Sequence, residues 1–143
     1  MPSILKEKGP EELLKKYHLR NTDCRVKILE SFQQFDFALS QGFLEEELKH
    51  SFDRVTIYRT LKSFLENGLI HKILDNEGGI KYALCSDDCS GGDHHHSHVH
   101  FKCEVCGQTV CLEKSTIPDV KIPKNFLVDE VNVLVSGICG KCR

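Results

Sequence analysis

Two Cys-x-x-Cys pairs, Cys103/Cys106 and Cys139/Cys142, constrain this chain more than any other feature. One CxxC turn aims two thiolates at two corners of a tetrahedron, and a second turn completes a closed four-cysteine zinc site. The 32 residues between the pairs exceed the spacing of a zinc ribbon, so a small β-domain must fold to bring them together. Gly107 follows the first pair and Gly140 lies inside the second, where a knuckle needs permissive backbone. A redox switch or an iron–sulfur cluster is the alternative use of four such thiols.

The pairs belong to a set of eight Cys and eight His in 143 residues. A secreted chain would oxidise such Cys to disulfides. Here the N-terminus, MPSILKEKGPEELLKKYHLR, has no apolar signal core, and no run reaches the length of a membrane helix. The expected compartment is therefore the cytoplasm, where paired Cys point to metal or redox chemistry. With 40% hydrophobic residues the chain is apolar enough to fold. With 19 basic residues against 21 acidic ones it carries a net charge of −2, and neither half is a basic arm. Any DNA binding must come from a local constellation and a dimer rather than from bulk attraction.

The first half reads as helices. Gly9-Pro10-Glu11-Glu12 opens one, with Pro at the first helical position. A second is expected from Thr22, its cap, to about Phe35, with Ile28, Leu29, Phe32 and Phe35 at helical spacing. A third is expected from Phe43 to His50, after a Gln41-Gly42 loop. A fourth runs from Arg54 to Glu66, capped by Asp53 and stopped by Asn67-Gly68. On it Ile57, Leu61, Phe64 and Leu65 share one face, Thr56, Arg59 and Ser63 point away, and Tyr58 sits at the edge. Leu69–Leu74 and Ile80–Leu84 flank Asn76-Glu77-Gly78-Gly79 as a hairpin. Helices followed at once by a hairpin are the layout of a winged helix, or of another small α+β domain. Cys24 reads as a small buried hydrophobe.

Residues 85–98 (CSDDCSGGDHHHSH) break the composition and read as a linker or hinge. Strand-like runs follow at Val99–Lys102, Thr109–Leu112, Phe126–Val128 and Val131–Val135. His98 and His100 alternate with Val99 and Phe101, so in a strand both imidazoles lie on one face and can share an ion. Cys89 and Cys111 are further soft donors nearby.

Three motifs together resemble the ferric-uptake-regulator (Fur) superfamily of bacterial metal-responsive repressors, from about Pro10 to Cys142. They are Asp53-Arg-Val-Thr-Ile-Tyr-Arg-Thr-Leu61, the His-rich run from His94 into Cys106, and the terminal Gly137-to-Cys142 segment. The resemblance implies an α+β chain in three parts. These are a winged-helix DNA-binding domain over 1–84, a His/Cys-rich hinge over 85–98, and a small α/β dimerisation domain over 99–143. It implies a structural zinc on Cys103, Cys106, Cys139 and Cys142, and a homodimer that binds an inverted-repeat DNA operator when loaded with metal. In the family's recognition helix the motif's Tyr and Arg contact DNA, which carries over to Tyr58 and Arg59. Arg54 and Thr56 of the same motif join them as candidates.

Within the superfamily the likeness is strongest to the zinc-uptake regulators (Zur), which implies a second, regulatory zinc on His71, Cys85, His98 and His100. Iron and peroxide sensors usually have acids where Ala83 and Cys111 stand, and a His before the third helix, where this chain reads Ser40-Gln-Gly-Phe43. A thiolate with three imidazoles is borderline-soft, which suits Zn²⁺. An additional site found in some relatives lacks two of its positions, held here by Ser97 and Val99. Cys89, His96, Cys111 and Glu113 are the candidates for any extra ligation. The expected function is a repressor of metal-homeostasis genes with zinc as co-repressor, with no small-molecule substrate and no membrane partner. The alternatives are a ferrous or peroxide sensor of the same family, or a zinc–thiolate redox switch. An enzyme is not expected: no His-x-Glu precedes a CxxC, and a site closed by four thiolates leaves no open position for water.

Overall fold

Three helix caps organise the N-terminal part of the computed structural model, which describes residues 8–84, 99–112, 117–129 and 131–143. The hinge over 85–98 lies outside the described residues, and with it Cys85, Cys89, His94, His95, His96 and His98. Glu113 lies outside them too. After α1 (Pro10–Lys16) the Thr22 hydroxyl accepts the Arg25 N–H at 3.3 Å and opens α2 (Asp23–Gln34). Ser40 accepts the Phe43 N–H at 3.1 Å and opens α3 (Gln41–Glu47). Asp53 accepts the Thr56 N–H at 2.7 Å and opens α4 (Arg54–Glu66). The third helix therefore starts earlier than expected: with Ser40 as cap, Gln41 and Gly42 form its first turn rather than a loop. It also ends before His50, because the Ser51 and Phe52 amides both turn back onto the Leu48 carbonyl.

The apolar faces of these helices meet in one core. It joins Leu13 and Leu14 of α1, Ile28, Leu29 and Phe32 of α2, Leu44 of α3, and Ile57, Leu61 and Phe64 of α4. The hairpin of β1 (Ile70–Leu74) and β2 (Ile80–Leu84) closes that core with Ile70, Tyr82 and Leu84. Its turn is tied by the Asp75 N–H to the Gly79 carbonyl at 2.9 Å, and Gly78 takes the φ of 85° that the turn requires. Leu39 and Tyr82 exchange two 2.8 Å backbone bonds, which adds a one-residue third strand. The result is the winged helix.

The second sheet has the order β4-β3-β5, with β3 Val99–Cys103, β4 Thr109–Leu112 and β5 Val133–Gly137. β3 runs antiparallel to β4, with His100 opposite Cys111, and parallel to β5, with Cys103 opposite Gly137. No strand forms at Phe126–Val128. There the Phe126 N–H turns back to the Pro123 carbonyl and Leu127 is 97% exposed. The last strand starts at Val133 instead of Val131. Among the described residues after 98 there are strands and no helix, so the helical share of this α+β chain lies in its first half. Among the described residues the main apolar cluster ends at Leu84, and beyond it the buried hydrophobic residues are Val99 and Cys103. Within one chain the C-terminal sheet therefore buries little apolar surface of its own.

Candidate metal centres and nucleic-acid interface

The parallel pairing of β3 with β5 is what brings the two CxxC turns together. Both strands end on the same side, and each runs directly into a knuckle. After Cys103 the chain reverses through Gly107, at φ 74°, whose N–H returns to the Cys103 carbonyl at 2.9 Å. After Cys139 the Cys142 and Arg143 amides both return to the Cys139 carbonyl at 3.0 Å. The four Sγ atoms lie within 4.8 Å of one another, and Cys106 and Cys139 are 4.0 Å apart. A tetrahedron with Zn–S bonds near 2.3 Å has edges of about 3.8 Å, so the donor set fits one zinc ion. The electrostatics agree. The backbone N–H groups of Cys106 and Cys139 hold the Cys103 thiol down at about 6. Hydrogen bonding to the Cys139 thiol and burial push Cys142 up to about 12. Four crowded sulfurs cannot all ionise without a cation among them.

A second convergence joins the two halves of the chain. The Nε2 atoms of His71, on β1, and His100, on β3, are 3.3 Å apart. Cys111 Sγ lies 3.4 Å from the same His71 Nε2. The antiparallel register sets His100 directly opposite Cys111, so both side chains leave one face of the sheet. Both His residues are buried. For tetrahedral zinc with Zn–N near 2.05 Å and Zn–S near 2.3 Å, N···N and N···S edges are about 3.3 and 3.6 Å. The two edges that meet at His71 Nε2, 3.3 and 3.4 Å, are close to those lengths, and all three donors lie within 4.8 Å of one another. A hydrogen bond between the two imidazoles would account for the first distance alone. With the thiol converging on the same nitrogen, the three side chains form a group that could hold a metal ion.

The sequence grouped His71 and His100 with His98 and Cys85, and set Cys111 apart as an extra donor. In the structure Cys111 joins His71 and His100. Strand pairing across the first knuckle made Cys111 a nearby donor, and the register of β4 sets it directly opposite His100. Of the other candidates, Cys24 is buried under α4, 3.4 Å from the Thr60 hydroxyl, and burial raises its pKa. It plays no part in either cluster.

Helix α4 presents the third feature. Arg54, Thr56, Tyr58 and Arg59 are all exposed, with Tyr58 at 51%, while Ile57, Thr60, Leu61 and Phe64 face the core. Arg54 reaches Glu45 of α3 at 3.4 Å. Lys62, three residues after Arg59 and also exposed, extends the basic face beyond the motif. The helical spacing from Arg59 could have flagged it.

The family model described as Ferric uptake regulator family matches residues 16–132, most of the chain. The chain belongs to the ferric uptake regulator family. It is a metal-responsive transcriptional regulator and not an enzyme. The Ferric uptake regulation protein of Staphylococcus epidermidis (strain ATCC 12228 / FDA PCI 1200) is 29% identical over 142 residues, covering 92% of each chain. Among solved structures, a zinc uptake regulator complexed with zinc and DNA matches with a TM-score of 0.65 at 22% identity, covering 92% of this chain and 89% of its own. The Vibrio cholerae ferric uptake regulator matches with a TM-score of 0.60 at 21% identity, covering 90% and 98%. At these identities the structural likeness establishes the fold. Family members named for zinc and for iron share it, so the choice of metal rests on the donor atoms. None of the described helices is long and apolar enough to cross a membrane.

Proposed function

We propose that this member of the family is a zinc-responsive repressor that acts in the cytoplasm as a homodimer on an inverted-repeat operator, with zinc as co-repressor for metal-homeostasis genes. The observation that carries the reading is the Cys111 thiol beside the His71 and His100 imidazoles. Two nitrogens and a sulfur are a borderline-soft set that suits Zn²⁺, whereas Fe²⁺ and Mn²⁺ sensing would call for carboxylates. Cys85, directly after β2 in the sequence, and His98, directly before β3, are the candidates for the fourth donor. Bound there, Zn²⁺ supplies a cross-link between the wing and the C-terminal sheet. Cys103, Cys106, Cys139 and Cys142 hold a separate structural zinc, which adds folding free energy where the sheet's own apolar burial is small.

The boundaries 1–84, 85–98 and 99–143 fit this division of labour. α4 runs through the turn at Asn67–Leu69 into β1, so moving the wing moves the recognition helix with it. Val120, Ile122, Phe126, Leu127, Val128 and Val131 line an open apolar groove that suits a second copy of the chain. In such a dimer the wing's position sets the separation of the two α4 helices. Only one separation matches half-sites about 34 Å apart on one face of DNA. Arg54, Thr56, Tyr58 and Arg59 then meet the major groove.

The test is operator binding, followed by fluorescence anisotropy on DNA selected by the zinc-loaded protein, against buffered free Zn²⁺, Fe²⁺ and Mn²⁺. Tight binding is expected at the lowest free concentration with Zn²⁺. An equal or stronger response to Fe²⁺ would move the assignment to a ferrous sensor. Operator binding by reduced, metal-free protein would favour the thiolate switch.

A further inference from the structure

The wing meets the C-terminal sheet at a second place. Lys102 stands two residues after His100 on β3, so both side chains leave the same face of the strand. Its ammonium donates to Asp75 Oδ1 at 2.8 Å and to Asn76 Oδ1 at 3.0 Å, and lies 3.4 Å from Glu77 Oε2. All three acceptors sit in the β1–β2 turn. The Lys102 and Asp75 side chains are 8% and 10% exposed, while Glu77 is 82% exposed. The Lys102–Asp75 pair is therefore desolvated, and Glu77 stands at its rim.

A buried ion pair adds little over an apolar pair of the same shape, but it is strongly unfavourable to strand one partner. Both partners here stay buried only while the wing lies on the sheet. The contact thus belongs to one arrangement of the two parts. Two more bonds cross the same boundary: Lys81 Nζ to the Gly107 carbonyl and the Ala38 N–H to the Thr109 carbonyl, both at 2.7 Å.

We propose that Lys102 and the Asp75 turn form a metal-independent latch, which holds the wing on the sheet and sets how much zinc is needed to complete the DNA-binding arrangement. This rests on the zinc-responsive reading above. An interaction present in only one of two states shifts their balance by its own free energy. Whatever favours the docked state lowers the zinc concentration at which that state prevails. Lys102 and Asp75 are positioning residues: they pair with each other and belong to neither donor set.

Two adjacent amides read the latch directly. The Ala38 N–H bonds across the boundary to Thr109, and the Leu39 N–H bonds within the winged helix to Tyr82. The variant of choice is Asp75→Asn, which keeps the Oδ1 acceptor for the Glu77 N–H that shapes the turn. In the full chain with its structural zinc, hydrogen exchange at Ala38 is expected to accelerate roughly 5- to 50-fold, with Leu39 unchanged. The free zinc giving half-maximal operator binding should rise by up to the same factor, while affinity at saturating zinc is preserved. Lys102→Gln should act in the same direction, and Glu77→Gln should change little. Unaltered Ala38 exchange in both latch variants would overturn the proposal. So would equal acceleration at Ala38 and Leu39, which would mean that the pair supports the wing's own fold. If the unsubstituted protein binds operator without regard to zinc, the functional reading fails, and the Ala38 exchange still decides the latch.

Discussion

Replacing Cys111 by Ser removes one sulfur from the interdomain triangle and almost no volume. Ser keeps the backbone register opposite His100, and Cys111 is only partly buried, so the fold should survive. The hydroxyl stays protonated at neutral pH and is a poor zinc ligand. Zinc held by four good ligands is worth about 10–16 kcal/mol at neutral pH, so one ligand carries roughly 2.5–4 kcal/mol. At about 1.4 kcal/mol per tenfold change, Cys111→Ser should weaken this site by roughly two to three decades. Competition against a chromophoric zinc chelator measures that loss directly. Anisotropy on selected operator DNA should show the zinc midpoint moving by the same factor, because the triangle exists only when the wing is docked. Mass spectrometry under native conditions should still find one zinc per chain, held by the four knuckle cysteines. An unchanged zinc midpoint would refute the reasoning, since it would mean that His71 and His100 meet as a hydrogen-bonded pair and that Cys111 is a bystander.

Arg59→Ala should lower operator affinity by about 1–3 kcal/mol if the guanidinium reads a base edge, with zinc content unchanged; unaltered binding would place the interface elsewhere. Cys142→Ser should give protein that is monomeric or misfolded and lacks the structural zinc, and a folded zinc-free dimer in sedimentation would contradict that. Because Cys142 titrates at about 12, it carries its proton at neutral pH, and loading the reduced four-thiol cluster must expel it. Zinc addition in weak buffer should therefore acidify the solution, and apparent zinc affinity should rise with pH. Phe64→Ala, at the fully buried centre of the α4 face, should cost about 3–5 kcal/mol in urea denaturation, and a loss under 1 kcal/mol would mean the core collapses around the gap.

Much of the winged helix was legible because its determinants are local. Thr22 and Asp53 cap the helices that their own side chains begin, and Ile57, Leu61 and Phe64 share a face by periodicity alone. The Asn76–Gly79 turn announced the hairpin in the same way. Ser40 was misread because the helix following it is short, and a cap followed by Gln41-Gly42 looks like a loop until the Phe43 N–H is seen to return to it.

The sequence by itself determined that each Cys-x-x-Cys pair aims two thiols at one point, because that spacing is a property of one turn of chain. It also determined that Thr56 and Arg59 point away from the core, because one helix's geometry decides that, whereas the exposure of Arg54 and of Tyr58, at the edge of the core face, came from the structure. Tertiary structure alone decided which strands meet. The parallel β3–β5 pairing brings the two knuckles together across 32 intervening residues, and the β3–β4 register turns Cys111 toward His100. Docking of the wing then brings His71 to both and Lys102 to Asp75. Register and docking are collective outcomes of many weak contacts between segments far apart in the chain. No local run of residues encodes them, and they are what join the candidate metal centre to α4.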